Sequence, residues 1–461
     1  MRLATLLGPD LKQLLKEDPE QVRELLDEIH AEDLADIVSE LEPDEAAQLL
    51  ARLPANEAAP IFERLDETEQ EELAELMPPE SVAHIASEME PDDRADLFSA
   101  LPDAIGDRIL ETLQRVDPEA AEQVREIEKW PETSAGHLMT TSYVAVEPHI
   151  RVDDALAAVR AYAIENENSP IYNVYALTPE GGVAGIASLR TLILNTGTEP
   201  LENVLRTNII SVPPDMDQEE VARRMAKYDL NVMPVIAANG ALLGVITIDD
   251  VVDVLTQEQT EDVQKLGGIE PLDVSYFQTR FGEFIRKRGG WLIILFVEEF
   301  FTQTALRYYD PVFRVLEGAS YYVPLLISTG GNSGSQSSTL IIRGLAVGEV
   351  KLSDWWRILV RELGMGLVLG AILGVIGFGR VLMYHDSTLP FAFTIALTLV
   401  GIVITGCTIG SMLPLLLKRA GIEPATSSTP FIASFVDVAG ILVFVHVAQI
   451  VMAKALHAGG L

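Results

Sequence analysis

The chain has 461 residues, 69 acidic and 33 basic, with a formal net charge of −36. That length calls for several domains, and so acidic a surface excludes nucleic acid as a partner because polyanions repel it. One cysteine, Cys407, excludes a disulfide framework within the chain. The charge is uneven: residues 289–461 hold ten acidic and ten basic residues, so the whole excess lies before position 289. An acidic water-soluble half joined to a neutral apolar half is expected. The opening MRLATLLGPDLKQLLKEDPE lacks a long apolar core, so it does not read as a signal peptide, and membrane spans further along are expected to direct insertion.

Residues 1–130 read as short helices. Apolar residues recur at three- and four-residue spacing (Leu34, Ile37, Val38, Leu41), and prolines punctuate the pattern at Pro43, Pro54, Pro78, Pro91 and Pro102. Two stretches are alike, LEPDEAAQLLARLP at 41–54 and MEPDDRADLFSALP at 89–102. Each has a Pro-Asp start and a Leu-Pro stop, which suggests a right-handed superhelical stack of helices.

Residues 131–255 alternate strand-like and helical segments, and the order repeats once. HLMTTSYVAVEPHIRVDDALAAVRAY is followed by VLRTNIISVPPDMDQEEVARRMAKY, and NVYALTPEGGVAGIASLRTL by VMPVIAANGALLGVITIDDV. This duplication resembles a tandem pair of CBS domains, a β-α-β-β-α regulatory module. Residues 256–288 read as one polar connecting helix whose basic end, Arg286, Lys287 and Arg288, is expected at cytoplasmic headgroups. Residues 289–461 then form a membrane domain of five spans, at about 289–308, 319–342, 357–382, 390–417 and 429–453. With the acidic half inside, the inner flanks hold Arg343, Lys351, Arg357, Lys418 and Arg419, and the outer flanks only Arg307, Arg314, Arg380 and Lys454. The bias places the N-terminus in the cytoplasm and the C-terminus outside a cell (inner) membrane.

Two features of the membrane half carry chemistry. PLLISTGGNSGSQSSTLIIRGLA (324–346) contains a Gly-Gly-Asn-Ser-Gly cluster with two amides, Asn332 and Gln336, one turn apart. Small residues serve close helix packing, while Gly and Asn together also open a helix and free carbonyl oxygens, which is tolerated only in protein or beside a cavity. Both readings stand from the residues alone. Asp437 is the only acidic residue in the apolar run of the last span. A carboxylate there costs roughly 2.5–3.5 kcal/mol on insertion scales, so it is expected to face a partner, a water-filled path or an ion. Glu298 and Glu299 in the first span are further acidic residues at depth and stay unassigned.

TGGN-x-G-x-Q-S, the CBS pair, the Pro-punctuated acidic start and the last-span Asp, in this order, resemble MgtE-type magnesium transporters over nearly the whole chain. The resemblance implies a homodimer of five-span subunits with an α-helical superhelical N-domain, α/β tandem CBS domains, a connecting helix and an α-helical pore domain in the lipid bilayer. It implies Mg²⁺ as both transported and regulatory ion, with uptake closed by cytosolic Mg²⁺, and Asp437 binding Mg²⁺ inside the pore. Backbone carbonyls and Asn332 would line the rest, and Glu423 in GIEPATSSTP (421–430) stands where the family usually has Asp. It places cytosolic Mg²⁺ at Asp229, Asp250 and Asp253 and at Asp92 or Asp96, with Glu258, Glu261 and Asp262 following as acidic candidates. Asp249 reads better as a helix cap. Thr247 and Asp250 also match the ribose contact by which CBS folds take adenine nucleotides such as ATP, in one repeat only, since the other carries Ser188 and Thr191. Transport of Co²⁺ or Mn²⁺, or a membrane-anchored Mg²⁺ sensor without transport, are the alternatives, although softer ions would favour His, Cys or Met near Asp437. No nucleophile–base pair appears, so an enzyme is not expected.

Overall fold

The computed structural model describes residues 29–165, 171–272, 276, 279–316, 318–384, 388–426 and 429–458. The chain divides into two compact units, Met1–Thr256 and Gln257–Leu461.

The first unit opens with eight short helices among the described residues: α1 (Ala31–Ser39), α2 (Pro43–Leu50), α3 (Ala55–Phe62), α4 (Glu67–Leu76), α5 (Pro79–Glu88), α6 (Pro91–Ala100), α7 (Asp103–Val116) and α8 (Pro118–Ile127). Proline opens α2, α5, α6 and α8, where its missing N–H has no helical partner anyway. Each helix packs on the next but one: α1 on α3, α3 on α5, α5 on α7, and likewise α2, α4, α6 and α8. One continuous core results, with Leu50, Phe62, Leu97 and Leu113 fully buried. The stack expected from the Pro-Asp repeats is formed.

Two copies of one α/β module follow. The first holds β1 (Val144–Val146), α9 (Val152–Glu165), β2 (Asn173–Leu177), β3 (Val183–Ser188) and α10 (Leu189–Leu194). The second holds α11 (Gln218–Tyr228), β4 (Val232–Ile236), β5 (Leu242–Thr247) and α12 (Ile248–Leu266), and a parallel bridge from Val212 to Val235 stands where β1 pairs with β2. Each hairpin turns through a left-handed glycine, Gly181 or Gly240, and shifts register at the equivalent place, Ala176/Leu177 or Val235/Ile236. The copies exchange edges: Thr140, ahead of the first, bridges Val245 of β5, and Arg206, ahead of the second, bridges Ile186 of β3.

The connecting helix expected over 256–288 is divided. α12 ends at Leu266, where Gly268 takes a left-handed conformation and Ile269 N–H bonds back to the Gln264 carbonyl. That is a glycine helix stop, and Pro271 follows it. Helicity resumes only at α13 (Phe281–Tyr308), so residues 281–288 begin the first long helix of the second unit. Lys287 does not point outward as expected. It is 4% exposed, donates to the Pro271 carbonyl at 2.6 Å and pairs with Glu283 at 3.3 Å.

The second unit continues with α14 (Asp310–Val315), α15 (Val323–Ala346), α16 (Trp355–Leu382), α17 (Leu389–Arg419), α18 (Thr429–Val451) and α19 (Ala453–Ala458). Among the described residues three stretches are long and apolar enough to cross a membrane: Leu352–Leu382, Leu389–Arg419 and Thr429–Val451. The other two expected spans are also helical, as α13 and α15, but carry more polar residues. α13 leaves Leu292, Ile293, Phe296 and Phe301 exposed, and α16 leaves Val368, Ile372, Val375 and Ile376, apolar surface of the kind that suits lipid or another helix.

α15 is unbroken through Gly330, Gly331 and Gly334, so the cluster does not open the helix. Its glycines instead admit neighbouring helices. A Cβ on Gly330 would strike Ile402 and Val436, and one on Gly410 of α17 would strike the Gly334 carbonyl. The α15 and α17 backbones therefore touch, and the packing offsets the roughly 1 kcal/mol that each mid-helix glycine costs. Gly410→Ala is expected to lower stability by about 1–3 kcal/mol through overpacking, read as a lower melting temperature in detergent. Gly379→Ala on α16, where a Cβ meets nothing within 4 Å, is expected to leave it unchanged or slightly raised.

Candidate functional site

The chemistry expected from the sequence falls at three places. The first is a buried carboxylate group in the first unit. Asp92, at the start of α6, is 9% exposed, and its Oδ1 is buried without a hydrogen-bond partner. Burial, with Asp250 and Asp93 close by, raises Asp92 well above the ordinary carboxylate range. Burial also raises Asp93, next to Glu63 and Asp250, and pushes Glu90 up to about 7, with Glu63 and Asp250 adding to it. Asp250 rises to about 6, chiefly through burial, although hydrogen bonds from Thr247 pull it down.

Those bonds give Asp250 a structural task as well. Its Oδ2 accepts from Thr247 N–H at 3.1 Å and from the Thr247 hydroxyl at 2.5 Å, closing the first turn of α12. The cap expected at Asp249 is thus made by Asp250. In the first copy Ser188 accepts from Thr191 N–H at 3.1 Å at the matching place. Arg94, 4% exposed, acts on Asp92 and Glu63 through its charge, while its guanidinium donates to the carbonyls of Ala86 and Met89 and to Gln123. Glu63 is tied in by accepting Glu90 N–H at 2.9 Å.

The remaining soluble candidates are dispersed. Asp96 is exposed and accepts from His137 Nε2 at 2.9 Å; burial opposes protonation of the imidazole, but this bond and the charge of Asp96 outweigh it and raise His137. Asp229 is exposed and ends α11 in the left-handed region, with φ at 51°. Asp253 is exposed beside Asp249 and Glu32, and Glu258 is half-buried. Among the described residues no three His, Cys, Asp or Glu side chains are arranged to hold a metal ion. The all-oxygen donor set and the orphaned Asp92 oxygen nonetheless fit a hard cation such as Mg²⁺.

The second place is the end of α12. Lys265 Nζ lies 2.9 Å from Glu261 Oε2 and 2.9 and 3.1 Å from the two Glu423 oxygens. Asp262 sits beside Glu423, and burial followed by that charge raises it. Three expected metal-binding carboxylates are therefore together, but around an ammonium.

The third place is a groove between α15 and α18. From α15 it is lined by Ser328, Gly331, Asn332 and Ser335, and from α18 by Thr429, Pro430, Ala433 and Asp437, each set at helical three- and four-residue spacing. A Cβ on Gly331 would lie 3.9 Å from Asp437 Oδ1. Among the described residues the charge acting on Asp437 is that of Glu299, which repels it. Glu299 lines a neighbouring hollow that shares Pro430 and Ala433 with the groove, and Glu298 accepts from Ser434. Behind the groove, the Ser337 hydroxyl donates to Glu362 of α16 at 2.6 Å.

Sequence reasoning missed Glu63, Glu90, Lys265 and Glu362. Glu90 adjoins the Pro-Asp motif, so its position was a usable signal. Glu63 lies 27 residues away and reaches the group only through helix stacking.

An acidic helical module, a CBS-type pair and an apolar bundle with a carboxylate groove together define a cation transporter with its own regulatory half. The sequence profile described as a divalent cation transporter, MgtE, matches residues 323–447, that of the MgtE intracellular N domain matches 29–133, and that of a CBS domain matches 201–257. The magnesium transporter MgtE of Thermus thermophilus is 38% identical over 337 residues, covering 73% of this chain and 74% of the relative. That of Enterococcus faecalis is 30% identical over 72% of each chain. Among solved structures, the soluble part of a magnesium transporter matches at 28% identity and a TM-score of 0.52, over 55% of this chain and 99% of that one. The cytosolic domain of the Mg²⁺ channel MgtE in complex with ATP matches at 35% identity and a TM-score of 0.50, over 54% and 99%. The chain belongs to the MgtE family of magnesium transporters.

The raised carboxylates carry a pH consequence. A group whose folded pKa lies above its unfolded value binds more protons folded than unfolded between the two, so its contribution falls as pH rises through that window. For Glu90 the window runs from about 4.5 to about 7. In metal-free buffer the acidic half is expected to gain on the order of 1–2 kcal/mol of stability as pH falls from 7.5 to 6, read as thermal unfolding at a higher temperature. Millimolar Mg²⁺ is expected to flatten that dependence.

Proposed function

We propose that the chain is a membrane channel for Mg²⁺ uptake, assembled as a homodimer of five-span subunits and closed by Mg²⁺ on its cytosolic side. The observation that carries this is the groove in which Asp437 and Asn332 face one another's helices, with family membership behind it. The groove is open along one side, which suits completion by a second subunit about a two-fold axis. α13 and α15 would be the two further spans, with the acidic half in the cytoplasm and the C-terminus outside.

Mg²⁺ holds its waters tightly and prefers octahedral oxygen ligation. Asp437 attracts the ion, and its oxygens accept hydrogen bonds from the ion's waters. The Asn332 amide and the Ser328 and Ser335 hydroxyls orient further waters along α15. Because α15 is unbroken, its carbonyls stay in helical bonds and side chains carry the contact. That replaces the carbonyl lining expected from the sequence.

Regulation rests on repulsion. Asp92, Asp93, Glu90 and Asp250 oppose one another, which favours separation of α6 from the start of α12. Bound Mg²⁺ supplies the missing positive charge there. It shifts the equilibrium only by its greater affinity for the compact form. ATP is the second ligand proposed. The cleft between the two copies, lined by Tyr143, Tyr172, Asn173 and Thr247, offers aromatic faces and a hydroxyl, and a relative's cytosolic domain is known in complex with ATP.

Asp437→Ala is expected to abolish Mg²⁺ uptake into proteoliposomes while size-exclusion behaviour stays unchanged. Uptake at the wild-type rate would remove the assignment. Asp92→Asn combined with Asp250→Asn is expected to lower Mg²⁺ protection of the acidic half from protease about tenfold or more. The same variant is expected to keep channels active at cytosolic Mg²⁺ levels that shut the wild type. An unaltered protease pattern would exclude this group from sensing.

A further inference from the structure

Two carboxylates of α13, Glu298 and Glu299, lie in an apolar stretch with no basic residue beside them. From Trp291 to Thr304 that helix carries no lysine or arginine, and α18 carries none between Thr429 and Val451. An acidic side chain at such depth is retained where it meets a partner, a water-filled path or an ion. Glu298 has a partner in Ser434 of α18, although its Oε2 is buried with no donor among the described residues. Glu299 faces something else. It shares one face of α13 with Leu292, Leu295 and Phe296, at three- and four-residue spacing, and the four line a hollow against Pro430, Ala433 and Ser434. Pro430 and Ala433 also line the groove that holds Asp437. At 3.6 residues per turn, Ala433, Asp437, Pro430 and Ser434 fall within an arc of about 100°. Hollow and groove are therefore neighbouring parts of one face of α18, with α13 on one side and α15 on the other. The residues that Glu299 meets stand about one turn, roughly 5 Å, before Asp437 along α18, and its charge acts on Asp437.

We propose that Glu299 is a second cation-binding carboxylate of the ion path, one helical turn from Asp437, and that it takes a hydrated divalent cation. The inference deepens the proposed channel and rests on that reading. A single carboxylate that draws a dication in also retains it, whereas conduction needs binding spread over more than one place. The two carboxylates repel one another in an empty path and share the two positive charges of an ion that enters. A monovalent ion leaves the pair net negative, so the pair favours a dication. The position of Glu299 gives the ion its next place toward the N-terminal end of α18. The bond from Ser434 to Glu298 ties α13 to α18 at this level and so keeps Glu299 at the hollow.

The test combines Mg²⁺ uptake by the full-length protein in proteoliposomes with carbodiimide labelling in detergent. Glu299→Gln keeps the shape and loses the charge, and is expected to raise the half-saturating Mg²⁺ concentration about fivefold. Glu299→Asp shortens the side chain and keeps the charge, and is expected to stay within about twofold of wild type. A packing role would give the reverse order, because Gln is the closer in shape. Labelling by N,N′-dicyclohexylcarbodiimide, read by mass spectrometry of the α13 peptide, does not depend on transport. Millimolar Mg²⁺ is expected to slow labelling of Glu299 about fivefold relative to Glu362, which Ser337 holds on the sealed side. Wild-type half-saturation in Glu299→Gln would overturn the proposal, as would Glu299→Asp faring no better than Glu299→Gln. Equal labelling of Glu299 with and without Mg²⁺ would overturn it too. Absence of Mg²⁺ uptake by the wild-type chain would defeat the proposed channel, and the labelling would then decide Glu299 by itself.

Discussion

Negative charge without matching positive charge is the constraint on which this molecule turns. Two unit charges 4 Å apart repel by about 4 kcal/mol at an effective dielectric near 20, so each cluster needs an answer. The three clusters are answered in three ways. Asp92, Asp93, Glu90 and Asp250 are largely buried with their pKa values raised, so partial protonation relieves them. Glu261 and Glu423 have Lys265. Asp437 has neither arrangement: its groove is open, and Glu299 repels it from the next helix. The most weakly answered charge lies in the groove proposed above as the ion path.

The periodic parts of the fold were legible because they repeat. Pro-Asp starts and Leu-Pro stops marked the helical stack, and duplication marked the paired α/β modules, down to a register shift at the same place in each hairpin. Asp437 was legible because a carboxylate in an apolar run has few explanations. What was not legible depended on proximity between distant residues. Glu63 joins Glu90 only because α3 packs on α5 and so brings the α3 end to the α6 start. Lys265 reads in sequence as an ordinary helix-end lysine, and nothing local says that position 423 lies against it. Two local signals were present but misjudged. Gly267-Gly268 followed by Pro271 is a helix stop, which divides the supposed connecting helix. Thr247 and Asp250 are spaced as a capping pair, so Asp250 carries a cap along with its place in the acidic group.

The glycines of α15 show why an irregular-looking segment need not be irregular in structure. A helix broken at depth would leave carbonyl oxygens free, and these would suit an ion stripped of its waters. An intact helix presents side chains instead. Here Gly330 and Gly334 sit against Ile402, Val436 and the α17 backbone, which fixes the rotation of α15. Ser337 reinforces that rotation by donating to Glu362 on the sealed side. With those contacts made, Ser328, Asn332 and Ser335 can only face α18. The groove therefore offers a carboxylate, an amide and hydroxyls at helical intervals, groups that bond to the waters of an ion. Mg²⁺ gives up those waters reluctantly, so a lane built from hydrogen-bonding side chains favours it over a lane built from bare carbonyls. On the proposed function, selectivity would rest on the backbone contact between α15 and α17, because any rotation of α15 would exchange the amide for an apolar face.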